Sequence, residues 1–254
     1  MMMIKSRQTS ARGIIGGIPL GDNLQNLIEE RNFLRLIFPN LAAANFDQKY
    51  FNRIQLGEVV LPLGATAWMI MPDWRKISEE CYAEALRRAF SFMQPLFGKF
   101  FFNRDGHDND NGQIINYFRL RQSQRTVHAF ASIAAAQAGH DFYIVPIKFA
   151  SPSWVNSYNE VPHNKFAPNE FGPGVLMSAI FMLMNDVDYG SGLYFDCPGD
   201  EYWADISSTF SNFKPPFLFL QGKAVYFYPI KEGTPDLGGN YFYLTAYFNS
   251  FSAT

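Results

Sequence analysis

The sequence predicts a mainly-β fold, an antiparallel β-sandwich with helical insertions, and three observations carry that prediction. Short apolar, aromatic-rich runs recur between Pro and Gly turns near 192–196, 216–220, 223–230 and 241–248. Aromatics make up 17% of the 254 residues, with 26 Phe and 13 Tyr; such side chains suit sheet faces because they cover much area at little rotamer cost. Only a few stretches carry helical spacing, and strands in series with occasional helices fit a sandwich better than a bundle.

Taken in order, residues 1–22 read as a polar arm bearing Gly13, Gly16, Gly17 and Gly21. Asp22 is placed to cap a helix over 23–38, whose Leu24, Leu27, Ile28, Leu34 and Phe38 form an apolar stripe ended by Pro39. Residues 39–48 read as turns. The expected division is therefore an arm with a short helix over 1–48 and one sandwich domain over 49–254. Residues 50–54 and 58–63 read as short strands, and 65–71 as a continuous apolar run around Trp68. The clearest helix spans 76–94. Ile77, Cys81, Ala85, Leu86, Ala89, Phe92 and Met93 repeat at helical spacing, with Glu79 and Glu80 in the first turn and Arg87 and Arg88 later. Residues 103–112 are an exposed loop by composition, 114–121 a strand, 126–138 a small-residue helix stopped by Gly139, 141–149 a strand and 174–184 a buried helix.

Composition narrows the function classes. With 48% apolar and 17% charged residues, a large core is possible and global disorder is excluded. No apolar run approaches the 18 or so residues that cross a bilayer, and no leader-like segment opens the chain, so the expectation is a protein made and kept inside a cell without membrane insertion. Charge is uneven: residues 1–126 hold 16 Lys and Arg against 12 Asp and Glu, and residues 127–254 hold 5 against 11. The two halves either mix on one surface or meet head to tail between copies. The positive excess is too small and too scattered for a nucleic-acid partner.

Candidate chemistry is sparse. Cys81, His140 and Asn156 or Asn159 follow the chain order of papain-like thiol hydrolases, which need a thiolate at an open helix N-terminus. Cys81 falls on the apolar stripe of the 76–94 helix, which favours a buried small hydrophobe. His107-Asp108-Asn109-Asp110 lacks both the glutamate that closes a calcium loop and a His-x-Asp spacing, so it reads as a solvated loop. Residues 196–201, Asp-Cys-Pro-Gly-Asp-Glu, are a compact acidic turn, either solvated or offering Asp200 and Glu201 to an arginine of another molecule. Two cysteines give no disulfide framework or zinc pattern, and no phosphate loop or nucleophile elbow is present. The expectation is no catalytic residues, no cofactor and no metal.

The segment 152–160, Pro-Ser-Trp-Val-Asn-Ser-Tyr-Asn-Glu, follows the apolar 142–150 run with one aromatic anchor and many hydrogen-bonding groups, but no nucleophile. It resembles the Pro-Ser-Trp-Val-x-Ser-x-Asn-Glu pattern of the polyhedrin and granulin family of viral occlusion-body matrix proteins. Three further points lie in the same order. Tyr117, Arg119, Arg121 and Arg125 leading into the helix at 126–138 are similar to that family's strand, basic turn and helix. Trp74-Arg75-Lys76 before the helix that follows resembles its Trp-Lys entry, and Tyr50-Phe51-Asn52-Arg53-Ile54 looks like its Leu-Phe-Lys-Glu-Ile strand. Together these cover about residues 50–160. The family's basic cluster near the N-terminus, its acidic run near the C-terminus and its Gly-Pro-Ala-Tyr ending are absent.

The resemblance implies a jelly-roll-like core, a homotrimer, and packing of trimers into an in vivo crystal that embeds and protects virions. It implies formation in the infected cell, in the nucleus, and extracellular bodies after release. Within that reading Trp154 anchors a contact corner, Asn156, Asn159 and Glu160 are polar contacts, and Arg119, Arg121 and Arg125 are their basic partners. Alkaline dissolution also has a rationale in the residues. Phenols ionise and Lys loses its charge near pH 10, so the 13 Tyr and 9 Lys predict disassembly above about pH 10. The alternatives are a thiol hydrolase using Cys81 and His140, and an interaction domain that binds a different protein through its aromatic surface.

Overall fold

The computed structural model describes residues 24–93, 95, 99–101, 120–149, 153–155, 166–184, 193–202, 217–221, 224–228 and 239–248. Antiparallel sheets and helices share them, and helical residues outnumber strand residues. The fold is mixed α and β rather than mainly β: of the strands expected early in the chain, 50–54 is helical and 58–63 is irregular.

Helix α1 (Leu24–Ile37) packs against strand β1 (Ala67–Pro72) through Leu27, Leu34 and Ile37. Helix α2 (Gln48–Gln55) replaces the strand expected at 50–54. Asp47 decides the matter: its carboxylate accepts from the Lys49 and Tyr50 amides and starts a helix that buries Tyr50, Phe51 and Ile54 on one face. No strand forms over 58–63, where Gly57 and Gly64 bracket an irregular connection. The helix expected over 76–94 is split. A 3-10 turn (Trp74–Lys76), capped by Asp73, is followed by a break and then α3 (Tyr82–Met93). Glu79 and Glu80 therefore precede the helix, and Glu84 is the acid in its first turn.

Strands β2 (Lys99–Phe101) and β3 (Leu120–Gln122) precede α4 (Gln124–Ala136), whose N-terminus is capped by the Ser123 hydroxyl accepting from the Thr126 amide. Ala138 and Gly139 adopt positive φ and turn the chain into β4 (Phe142–Phe149). Strands β5 (Ser153–Val155) and β6 (Glu170–Phe171) lead to α5 (Gly174–Met184), then β7 (Leu193–Asp196), β8 (Asp200–Tyr202), β9 (Phe217–Gln221), β10 (Ala224–Tyr228) and β11 (Gly239–Tyr247).

Nine strands form one sheet with the path β1-β4-β11-β7-β9-β10-β2, and β5 and β6 also pair with β11. Pairing is antiparallel except for β11 with β7 and β10 with β2. A separate two-stranded ribbon joins β3 to β8. Residues 142–147 of β4 are buried on both faces, as their unbroken apolar run requires, because α4 and the other helices lie against the sheet. One apolar cluster runs from Leu27 of α1 to Ala246 of β11. At the β1 end of the path, Glu30 of α1 reaches across and accepts from the Ile70 amide at 3.0 Å, satisfying a donor on an otherwise open strand edge. Burial lifts the Glu30 carboxyl to about 7, with the Ile70 amide pulling the other way.

Candidate functional site

A buried polar junction lies where α3, α4, α5 and the β3–β8 ribbon meet, and Asp200 is its centre. Its side chain is 1% exposed. Oδ2 accepts from the Tyr82 hydroxyl at 2.8 Å and from the Val175 amide, in the first turn of α5, at 2.7 Å. Oδ1 is buried with no hydrogen-bond partner. Burial pushes the carboxyl up to about 7, and Glu201 adds to that; the two donors on Oδ2 oppose it. The Tyr82 phenol in turn is raised well above its ordinary range by burial and by the facing carboxylate.

Glycine makes this approach possible. At Gly174, φ is +85° and a Cβ would lie 2.5 Å from Asp200 Oδ1. At Gly199 a Cβ would meet the Gly172 carbonyl oxygen at 2.1 Å, so the two backbones touch there. Around that contact the Ser123 amide donates to the Gly199 carbonyl and the Thr126 hydroxyl to the Gly172 carbonyl, at 2.9 Å each. The turn expected to be solvated is therefore a buried keystone. Asp196 and Cys197 are fully buried as well.

A second buried phenol–carboxylate pair joins β4 to the turn after β1. The Tyr143 hydroxyl donates to Asp73 Oδ2 at 2.9 Å, and Arg75 forks onto both Asp73 oxygens at 2.8–3.1 Å. Burial, then Asp73, raises the Tyr143 phenol, while Asp73 holds the Arg75 guanidinium more firmly protonated. Glu84 is held down to about 2 by hydrogen bonds from Arg87 and Arg88.

The residues singled out from the sequence fall in four places. Arg121 and Glu201 meet each other across the β3–β8 ribbon at 3.1 Å. Arg125 donates to the Glu170 carbonyl at 2.7 Å and to the Ala167 carbonyl, and lies over the Phe166 ring, clamping the segment before α5. Asp200 contacts its own chain and offers no surface to a neighbour. Trp154 sits in β5 opposite Asn240 of β11, while Arg119, Asn156, Asn159 and Glu160 lie outside the described residues, as does the 103–112 loop.

Cys81 is not inside a helix. It is half-buried at the position just before α3, and its carbonyl accepts the first helical bond, from the Ala85 amide. That location meets one requirement of a reactive thiol. Among the described residues no hydrogen bond joins it to His140, which follows the positive-φ Gly139 at the start of β4.

Sequence reasoning missed Tyr82, Tyr143, Asp73 and Glu30. The available signal was an ionisable or phenolic residue within an apolar run, as at Tyr82 and Tyr143. The arrangement can hold or release protons, but these carboxylates meet phenols, guanidiniums and amides rather than an open cleft. Compared with protein-family models, curated proteins and solved structures, the chain matches none.

Proposed function

We propose that this chain is a structural matrix protein that assembles with itself into crystalline occlusion bodies around virions, on a core of jelly-roll type and through homotrimers, inside the nucleus of an infected cell. One observation supports the reading most: large apolar side chains stand in solvent. Leu63 is fully exposed, and Leu56 and Val60 on the same connection are 74% and 67% exposed, as are Leu36 and Val127 to 79% and 52%. Three such residues within one eight-residue stretch, 56–63, form a surface that a neighbour would dry. With a formal charge of −2 the chain does little to repel its copies.

Buried phenols add a route to alkaline release. Tyr50, Tyr82, Tyr143, Tyr243 and Tyr247 all hold their protons more tightly than a free phenol, Tyr247 up to about 12. An unfolded chain gives up those protons near pH 10, so each of the five loses stabilising value as pH climbs through that range. Subunits would loosen as their surface contacts become repulsive.

Expression in insect cells with light microscopy tests the proposal. Refractile bodies that clear above about pH 10 are expected; a protein that stays dispersed, or bodies indifferent to pH 11, would count against it. The thiol-hydrolase alternative draws on the position of Cys81 at a helix start. Cys81→Ala should leave assembly intact, whereas a thiol-dependent activity lost in that variant would favour the alternative.

A further inference from the structure

Helix α1 and the turn after it carry a pair of guanidiniums that, among the described residues, hold no carboxylate between them. Arg31 and Arg35 lie one helical turn apart, and both donate to the same amide oxygen, Asn45 Oδ1, at 3.4 and 2.8 Å. Their terminal nitrogens are therefore within about 6 Å of each other, a distance at which like charges repel. Arg31 shows the strain, since burial and the Arg35 charge both lower its affinity for its proton.

Both side chains are nevertheless pinned. Arg35 Nε donates to the Ala44 carbonyl at 2.6 Å, Arg31 Nε and Nη2 donate to Asn32 Oδ1 at 3.3 and 3.1 Å, and the Arg31 guanidinium lies 5.1 Å above the Phe46 ring. Asn45 is itself fixed, because its carbonyl accepts from the Phe142 amide at the start of β4. Every acceptor in this set is a neutral amide oxygen. A guanidinium has five N–H donors, so half of the combined ten are unused by the described residues. Both arginines are only half-buried, so the unused donors are within reach of solvent.

From this geometry we infer that the Arg31–Arg35–Asn45 cluster is an oxyanion-binding site, its ligand a phosphate or carboxylate group seated between the two forks. Paired guanidiniums recognise such groups through parallel hydrogen bonds. The anion supplies the negative charge that Asn45 lacks, and the pinned side chains have little freedom left to lose on binding. The group comes either from free phosphate or from an acidic side chain of another copy, whose 127–254 half carries 11 acids against 5 bases. The site needs nothing from the assembly reading.

The test uses the full chain, with thermal unfolding followed while inorganic phosphate replaces chloride at constant ionic strength. For the wild type the midpoint should rise with phosphate. Asn45→Asp places a carboxylate between the forks, so it should unfold at a higher temperature in chloride and respond to phosphate at least tenfold more weakly. Arg31→Gln leaves the Arg35–Ala44 bond in place and should lose the response without the gain. Sedimentation separates the sources. If phosphate has no effect but wild-type self-association is abolished by Asn45→Asp, the ligand is a carboxylate of a neighbouring copy. If Asn45→Asp changes neither midpoint, phosphate response nor self-association, the inference is wrong.

Discussion

Asp200→Asn is the most informative single change. In the wild type the carboxyl moves from an ordinary 3.8 to about 7 on folding, chiefly because it is buried. Between those values the unfolded chain has released the proton while the folded chain keeps it. The contribution of this group is therefore full below about pH 4 and falls until about pH 7, where the folded group also ionises. At 1.36 kcal/mol per unit, a shift of about three units corresponds to about 4 kcal/mol of stability lost across that window. Asparagine keeps a carbonyl for the Tyr82 hydroxyl and the Val175 amide and never ionises. Urea unfolding followed by tryptophan fluorescence at intervals from pH 4 to 8 would give both curves. The variant should gain on the wild type by about 4 kcal/mol as pH rises from 4 to 7, and should not diverge further above that. Parallel curves would refute a titrating Asp200. Glu30, moved from 4.5 to about 7, acts in the same window, so a slope must persist in the single variant and flatten only in Asp200→Asn with Glu30→Gln.

Other expectations follow from the same geometry. Tyr82→Phe removes one of two donors on Asp200 and should cost about 1–3 kcal/mol at pH 8, measured by urea unfolding. It should also soften the fall in stability above pH 10, since a phenol that resists ionisation is gone; circular-dichroism melts at pH 9 to 12 would show it. Gly174→Ala drives a methyl into Asp200 and strains a positive φ, so it should cost well over about 1 kcal/mol and more than Gly57→Ala, where φ is positive too but a methyl meets nothing within 4 Å. Leu63→Asp alters a fully exposed side chain and should leave unfolding within about 0.5 kcal/mol while reducing self-association in sedimentation.

Much of the fold was legible where the chain speaks in one period. The 141–149 segment, apolar at nearly every position, read as a strand and is one, and the 174–184 run read as a buried helix and is one. Tyr50 to Ile54 misled because the run is short and carries aromatic and β-branched residues, although its apolar first, second and fifth positions follow the helical period and Asp47 outside the run starts the helix. The 76–94 helix was overextended for a related reason: Ile77 and Cys81 fit its stripe, yet Asp73 caps a separate short turn and Cys81 only opens α3. The candidate site was less legible. A turn reading Asp-Cys-Pro-Gly-Asp-Glu looks solvated because nothing local reveals that Tyr82, 118 residues away, and the Val175 amide will dry one of its carboxylates.

That burial matters because two segments far apart in the chain end on one side chain and a third closes beside it. Tyr82 opens α3, Val175 opens α5, and the Gly199–Gly172 contact beside them ties the turn to Ser123 and Thr126 at the head of α4. An aliphatic residue at position 200 would remove the proton-linked penalty but leave a phenol and a helix-terminal amide with nothing to donate to. The carboxyl is thus suited to orienting α3 and α5 rather than to adding stability at neutral pH. Its counterpart is Asp73, which Arg75 keeps paired beside Tyr143. Among the described residues one of these two acids has a cation and the other does not, so neutral-pH strain gathers at Asp200, as it does at Glu30, and the junction of α3, α4 and α5 is one of two places where rising pH should first loosen the molecule.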